Sequence, residues 1–408
     1  MTRTTLARTK TWLGIAAMAA TMVGFGTVGQ AAEPIKIGEI NSYTALADFT
    51  QPYKKGWQMA VEEINAAGGV IGRPLEVIAR DDGGKPGNAV KIAEELTTKE
   101  NVDLLAGTFF SHIGVAVTNY SKQRKKLFIA TEPMSDDITW KQGHRYTFRL
   151  RPSTYLQSAM LAEEAAKLPA KRWAIVAPNY KFGQDAVAAF KKVMKAKRPD
   201  VEFVEEQWPA LFKIDPGATV QALLRAKPDG IYSALFSRDL TAFVREAELR
   251  GLLKPDLTVV GLLTGEPEYL DPMGEEAPKN WIVTGYPWYA IEDPKHKKFI
   301  EDYQAKYNET PRMGSLVGYV FIQAIAAMIE KAGSTDQDAM ISAMEGLTFD
   351  SVVGPITFRG LDHQSTMGTW VGRTAVKDGK PIMVDWHYAK GEDYFPTDEE
   401  IKALRGSN

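Results

Sequence analysis

The sequence predicts an α/β protein of two doubly wound, parallel-sheet lobes joined by a hinge. Three observations carry that expectation. Short β-branched runs alternate with amphipathic runs over most of the 408 residues. The alternation restarts after residue 153 as a second series of similar length. Between the two series, Arg151-Pro152-Ser153 is held extended by its proline.

The first series opens with a β-α-β unit. Residues 35–40 and 75–82 are short β-branched runs bounded by turn residues, hence strands. Between them Trp57, Ala60, Val61 and Ile64 recur at helical offsets, and Gly68-Gly69 ends that helix. A parallel sheet therefore begins at residue 35, and the loop over 41–51 opens where such sheets bind ligands, beyond the strand's C-terminal end. Strands over 102–107, 127–131 and 145–150 follow, with a helix over about 113–123.

In the second series, helices over 156–168, 184–196, 219–225 and 240–250 alternate with strands over 172–177, 201–207, 230–234 and 258–262. After a strand at 281–284 come helices over about 294–307 and 315–331. The chain then turns to β character at 354–358 and 383–386, and ends in a helix or frayed tail over 398–405.

Residues 1–31 read as a cleavable export signal. Arg3, Arg8 and Lys10 precede an uncharged apolar run over 12–28, and Gly29-Gln30-Ala31 fits a small-x-small cleavage site. The alternative is a membrane anchor, against which stand the shortness of the run and the missing stop-transfer charges. No other stretch is expected to span a membrane. The chain has no cysteine, so it is expected to be neither a lipoprotein nor disulfide-bonded, and its stability must come from a core. The 49 basic side chains face 51 acidic ones; without the three in the signal the net charge is −5, which argues against a nucleic-acid partner.

Catalytic spacing is missing. No phosphate-binding Gly-x-x-x-x-Gly-Lys-Ser/Thr, dinucleotide Gly-x-Gly-x-x-Gly, Gly-x-Ser-x-Gly elbow or His-Glu-x-x-His occurs. His112, His144, His296, His363 and His387 never share metal-ligand spacing and read as surface or turn residues. Asp81-Asp82, before Gly83-Gly84, reads as a solvated or capping pair rather than a metal site. Neither a cofactor, a metal nor an enzymatic reaction is expected; an exported two-lobed protein of this kind reads as a binder.

Several segments resemble one family. The run 35–38, Gly56, residues 61–75 with their Asn65-Ala66-Ala67-Gly68-Gly69-Val70-Ile71-Gly72 centre, and Asp81-Asp82 are similar to the start of the leucine/isoleucine/valine-binding proteins. Those are periplasmic solute-binding components of ABC importers. Arg149-Leu150-Arg151, Phe182-Gly183-Gln184-Asp185, residues 248–252 and 353–356 agree further, so the resemblance spans nearly the whole mature chain. It implies the type I periplasmic binding fold, with three crossings between lobes and a cleft that closes over a small molecule. The lobes would be 32–151 with about 285–360, and 152–284 with about 361–408. It also implies a monomer in the periplasm that docks on permease subunits of the inner membrane.

The resemblance carries over site residues by position. Phe49 follows the first strand. Phe109, Phe110 and Ser111 match the family's carboxylate-binding turn, where a helix start offers unpaired N–H donors; Ser111 is either an ordinary N-cap or a carboxylate donor, or both. Glu132 and Met134 follow the next strand. Tyr180, Phe182, Phe236, Leu263 and Thr264 match the second lobe. Trp288 and Tyr289 either line the cleft mouth or simply pack, and Tyr319 reads as core.

Two departures shape the expected ligand. Leu263 stands where amino-acid binders of the family place an acid, although Glu266 is three residues on, and five phenylalanines make the cleft strongly apolar. Burying an ammonium there without a carboxylate is costly. The expected ligand is an apolar or aromatic carboxylate, its ring packed on those phenylalanines. An amino acid stays open if Glu132 or Glu266 supplies the acid; Glu132 is otherwise a phenol acceptor or a solvated loop acid. A sensor subunit with the same fold and an exported hydrolase are the competing functions.

Overall fold

The computed structural model describes Met1 and residues 32–405. The expected export signal, Met1 apart, lies outside the described residues.

The first lobe is built on strands β1 (Ile35–Asn41), β2 (Leu75–Asp81), β3 (Leu104–Gly107), β4 (Phe128–Ala130) and β5 (Thr147–Arg149). They form one parallel sheet in the order β2-β1-β3-β4-β5. Helices α1 (Ala47–Ala66), α2 (Pro86–Thr98) and α3 (Ser111–Arg124) make the crossovers. The strand order reverses between β1 and β3, so the loops after those two strands diverge and leave a crevice between them.

The second lobe repeats the plan with β6 (Arg172–Val176), β7 (Glu202–Gln207), β8 (Gly230–Ser233), β9 (Thr258–Gly265) and β10 (Ile282–Gly285). Here the parallel order is β10-β9-β8-β6-β7, reversing between β6 and β8. The accompanying helices are α4 (Thr154–Ala166), α5 (Lys181–Lys197), α6 (Pro216–Ala226), α7 (Ser237–Leu249) and the single turn α8 (Pro267–Leu270).

The chain then returns to the first lobe through α9 (Pro294–Tyr307), α10 (Met313–Ala332) and α11 (Gln337–Met344). The hairpin β11 (Thr348–Ser351) and β12 (Gly354–Thr357) follows. It rejoins the second sheet as β13 (Thr369–Lys377) and β14 (Lys380–Ala389), and ends in α12 (Asp398–Arg405). The second sheet is therefore not wholly parallel, because β13 pairs antiparallel with β10, and β14 with β13. The hairpin turn is Asp378-Gly379, both at positive φ (51° and 74°) between paired Lys377 and Lys380. That is the mirror-image turn that Asp-Gly favours, a signal present in the sequence but not read there.

Other differences have local causes. Helix α1 starts at Ala47, so Phe49 sits in a helix and not in the loop expected over 41–51. Helix α10 is long and apolar enough to cross a membrane by length and composition, against the expectation that no stretch beyond the signal is. Its apolar surface is spent on the core, with 78% of the apolar window buried. It crosses α1 at backbone contact: a Cβ on Gly318 would lie 2.1 Å from the Tyr53 carbonyl oxygen, and one on Gly56 would lie 2.0 Å from that of Ser315. Three histidines expected at the surface are buried, because the backbone satisfies their rings. His144 meets the Thr118 carbonyl at 2.9 Å, His363 the Thr147 carbonyl at 3.0 Å, and His296 both Val352 O (3.0 Å) and the Tyr286 hydroxyl (2.7 Å). Tyr319, expected in the core, is half-buried, its hydroxyl donating to Glu63 at 2.5 Å. Tyr289 packs on β14, exchanging hydrogen bonds with the Met383 backbone.

Candidate ligand-binding site

The C-terminal ends of strands from both sheets converge on one small cavity. Phe109 follows β3 and Ser111 opens α3; Glu132 and Met134 follow β4; Arg151 lies in the first crossing. From the second lobe come Tyr180 and Phe182 at the start of α5, Phe236 after β8, and Leu263 within β9. Eight of these nine are residues the sequence reading nominates; Arg151 is the ninth. The enclosed space is about 10 Å³, room for about one water, so a solute has to part the lobes to enter.

The walls are aromatic and run from one lobe into the other. Phe109 packs on Phe49 (ring centroids 4.9 Å apart) and edge-on against Phe110 (5.2 Å). In the second lobe, Phe182 meets Phe236 at 5.7 Å and Tyr180 at 5.9 Å. Phe110 reaches across to Tyr180 (6.4 Å) and Phe212 (6.1 Å), and Phe49 to Tyr269 (6.4 Å). Phe49, Phe110 and Thr264 thus stand behind or beside the cavity rather than on its surface. All three are buried.

Three of the thirteen described non-glycine residues at positive φ border the same place. Thr108 before Phe109, Ser237 after Phe236, and Leu263 itself hold φ of 63°, 52° and 66°. Left-handed conformations cost a side-chain-bearing residue of order 1–3 kcal/mol and persist where surrounding structure imposes them, often at binding sites.

Two polar features face the cavity. Ser111 is the first residue of α3 and not its cap, the N-cap position being Phe110. Its Oγ accepts the Ser135 N–H at 3.2 Å, which leaves the hydroxyl hydrogen to be donated into the cavity beside the unpaired N–H groups of the helix start.

The second feature is a buried ion cluster. The Arg151 guanidinium bridges Glu132 of the first lobe (Nη1 to Oε2, 3.2 Å) and Glu266 of the second, and lies over the Phe49 ring at 5.4 Å. Glu132 is therefore not the solvated loop acid that the sequence left open. Glu268, also buried, accepts the Gly314 N–H at 2.6 Å. Glu132 and Glu266 share the Arg151 guanidinium, while Glu268 feels the charges of Arg312 and Arg151 without pairing with either. Burial pushes Glu132 up to about 8 against the pull of Arg151, and Glu268 up to about 7. Glu266 is driven well above the usual carboxylate range by burial, with Arg151 opposing. Arg151 itself stays firmly charged: burial works against it, but Glu266 and Glu132 more than offset that.

Sequence reasoning missed Arg151, Glu268 and Tyr269 as parts of this site. One signal was available for Arg151: it alternates with Arg149 just before a proline, where the chain leaves one sheet for the other. Arg149 faces a structural duty, contacting Gln364 and the Ser135 carbonyl and reaching Thr139 Oγ1 at 3.1 Å. Asp81 and Asp82 act as capping acids, taking the N–H groups of Gly83 (3.0 Å) and Gly84 (2.7 Å) and the hydroxyls of Thr44 and Ser42.

Comparison with known proteins adds three findings. A family model described as periplasmic binding protein matches residues 34–380. The chain is 27% identical over 349 residues to the leucine-, isoleucine-, valine-, threonine- and alanine-binding protein of Pseudomonas aeruginosa, covering 84% of this chain and 90% of that one. Among solved structures, two solute-binding proteins of ABC transporters from Rhodopseudomonas palustris share the fold. One, from strain BisB5 in complex with 3,4-dihydroxybenzoic acid, has a TM-score of 0.79 at 24% identity over 88% of this chain and 98% of that chain. The other, in complex with 4-hydroxybenzoate, has a TM-score of 0.77 at 23% identity over 87% and 97%.

Proposed function

Since the chain belongs to the periplasmic binding protein family, we propose that it is the solute-binding component of an ABC importer, capturing a small apolar or aromatic carboxylate between its two lobes. The observation that carries this reading is the composition of the cavity: four aromatic rings, Met134 and Leu263 around one outward-donating serine at a helix start. The rings supply apolar area and edge or face contacts to a ligand ring, and Ser111 with the first N–H groups of α3 receives the carboxylate. Residues 1–31 export the chain and are removed, and the closed, loaded form docks on permease subunits. The ligand is held without chemistry; closure follows because only the closed form touches it from both sides. The solved relatives that hold hydroxybenzoates fit this ligand class.

An amino acid is the second reading. One specific observation favours it, the surplus of carboxyls around Arg151, which suits an ammonium; the amino-acid-binding relative agrees. A thermal-shift screen of the mature protein separates the two, because a ligand bound only by the folded state raises the melting temperature. Stabilisation by benzoate-type or phenylpropanoid acids is expected. Stabilisation by leucine or phenylalanine alone transfers the assignment to amino acids, and no response to any carboxylate removes it.

A further inference from the structure

We infer that Glu132 is a specificity-determining residue of this cleft, selecting carboxylates that also carry a hydrogen-bond donor, hydroxyl or ammonium, for its Oε1. The inference deepens the proposed function and rests on it. Glu132 is 2% exposed, lines the cavity, and gives Oε2 to Arg151, while Oε1 has no hydrogen-bond partner among the described residues. Arg151 is already committed to Glu266 and to the face of Phe49, so it has no reason to turn toward Oε1. A buried carboxyl oxygen left unpaired is costly, and a ligand without a donor leaves it so. A ligand with one repairs it. Sites built around a hydrogen bond reject analogues lacking it far more strongly than apolar pockets reject a missing methylene.

Arg151 is the positioning residue. It fixes the plane of the Glu132 carboxyl and, through Glu266, ties that orientation to the closed state, since Glu266 belongs to the opposite lobe. Around Glu132 the charged and titratable groups are Arg151 from the crossing, Glu266 and Glu268 from the segment after β9, and Tyr53 from α1.

The test is titration calorimetry on the mature protein with matched acids: benzoate against 4-hydroxybenzoate, and 3-phenylpropanoate against 3-(4-hydroxyphenyl)propanoate and phenylalanine. In at least one pair the donor-bearing member should bind 10-fold or more tighter. The phenol and ammonium arms identify which donor it is. Glu132→Leu should bring the ratio toward one. Glu132→Gln, which keeps an acceptor of the same shape, should retain a preference for phenol but lose one for ammonium. Glu266→Gln should weaken all the acids together and leave the ratio standing. Equal affinities within every pair, or a ratio that survives Glu132→Leu, overturns the inference and leaves the proposed function intact. Failure of every carboxylate to bind overturns both.

Discussion

Ser111 shows how much a single position depends on its neighbours. In sequence it is a serine after two phenylalanines, equally suited to capping a helix or to holding an anion. The structure gives its oxygen the Ser135 N–H, and thereby leaves its hydrogen to be donated elsewhere. Ser111→Ala is expected to weaken binding of a carboxylate by about 1–2 kcal/mol, the worth of one hydrogen bond to a charged group. Calorimetry with 4-hydroxybenzoate reads this as roughly a tenfold rise in Kd, and an unchanged Kd removes Ser111 from the site. Glu132 and Leu263 make the complementary point. The apolar Leu263 is legible in the sequence as the loss of a second-lobe acid at that place. That Glu132 and Glu266 stand around an arginine, however, depends on three segments meeting across a crossing.

At the scale of elements, the packing of α1 on α10 governs the first lobe, and it works only because glycine lets the two backbones touch. Gly318→Ala places a methyl 2.1 Å from the Tyr53 carbonyl oxygen, so the helices must separate. A loss of about 1–3 kcal/mol or more is expected, in line with overpacking of well-filled interiors. A urea midpoint equal to wild type would show that this contact yields freely. Gly360→Ala, where an added Cβ meets nothing within 4 Å, is the matched control. Elements also mark where local signals sufficed. The strongly periodic helices and the β-branched strands over 35–40, 75–82 and 172–177 are where the sequence puts them. Helix α2, the single-turn α8 and strand β13 were not read, α2 because its apolar stripe of Ala89, Ala93 and Leu96 is narrow and small.

At the scale of the whole molecule, carboxyls raised by burial set how stability varies with pH. Burial raises Glu39 to about 8 despite the hydrogen bond from the Tyr43 hydroxyl, and Glu132 also to about 8. Asp136 and Glu268 rise to about 7. A raised carboxyl binds its proton more tightly folded than unfolded, so its contribution is complete below the ordinary value near 4.5 and is lost as pH climbs to the folded value. Burial instead depresses His144 and His363 to about 4, so their contribution is complete above 6.5 and is lost below it. Between pH 4.5 and 6.5 the two sets oppose each other. From 6.5 to 8 only the carboxyls titrate, and the melting temperature is expected to fall. Glu39→Gln should flatten that fall without touching the cavity. A midpoint that rises from pH 6.5 to 8 contradicts the assignment.

The sequence by itself determined the class of fold, its two β-α series, the place where they join, and most of the residues that line the cleft. The fold class, the two series and their junction follow from hydrophobic period and turn residues, which are local properties of the chain, whereas the cleft residues are what the family resemblance implies. Only the tertiary structure decided which of those residues face the cavity and which stand behind them, that α10 lies in a core, that a hairpin from the far end of the chain completes the second sheet, and that Arg151 joins acids from both lobes. Each of these depends on contacts between segments far apart in sequence, such as the 115 residues separating Arg151 from Glu266. Such pairings leave no periodic trace in either segment, because burial of a charge is made tolerable only by a partner that the fold brings to it.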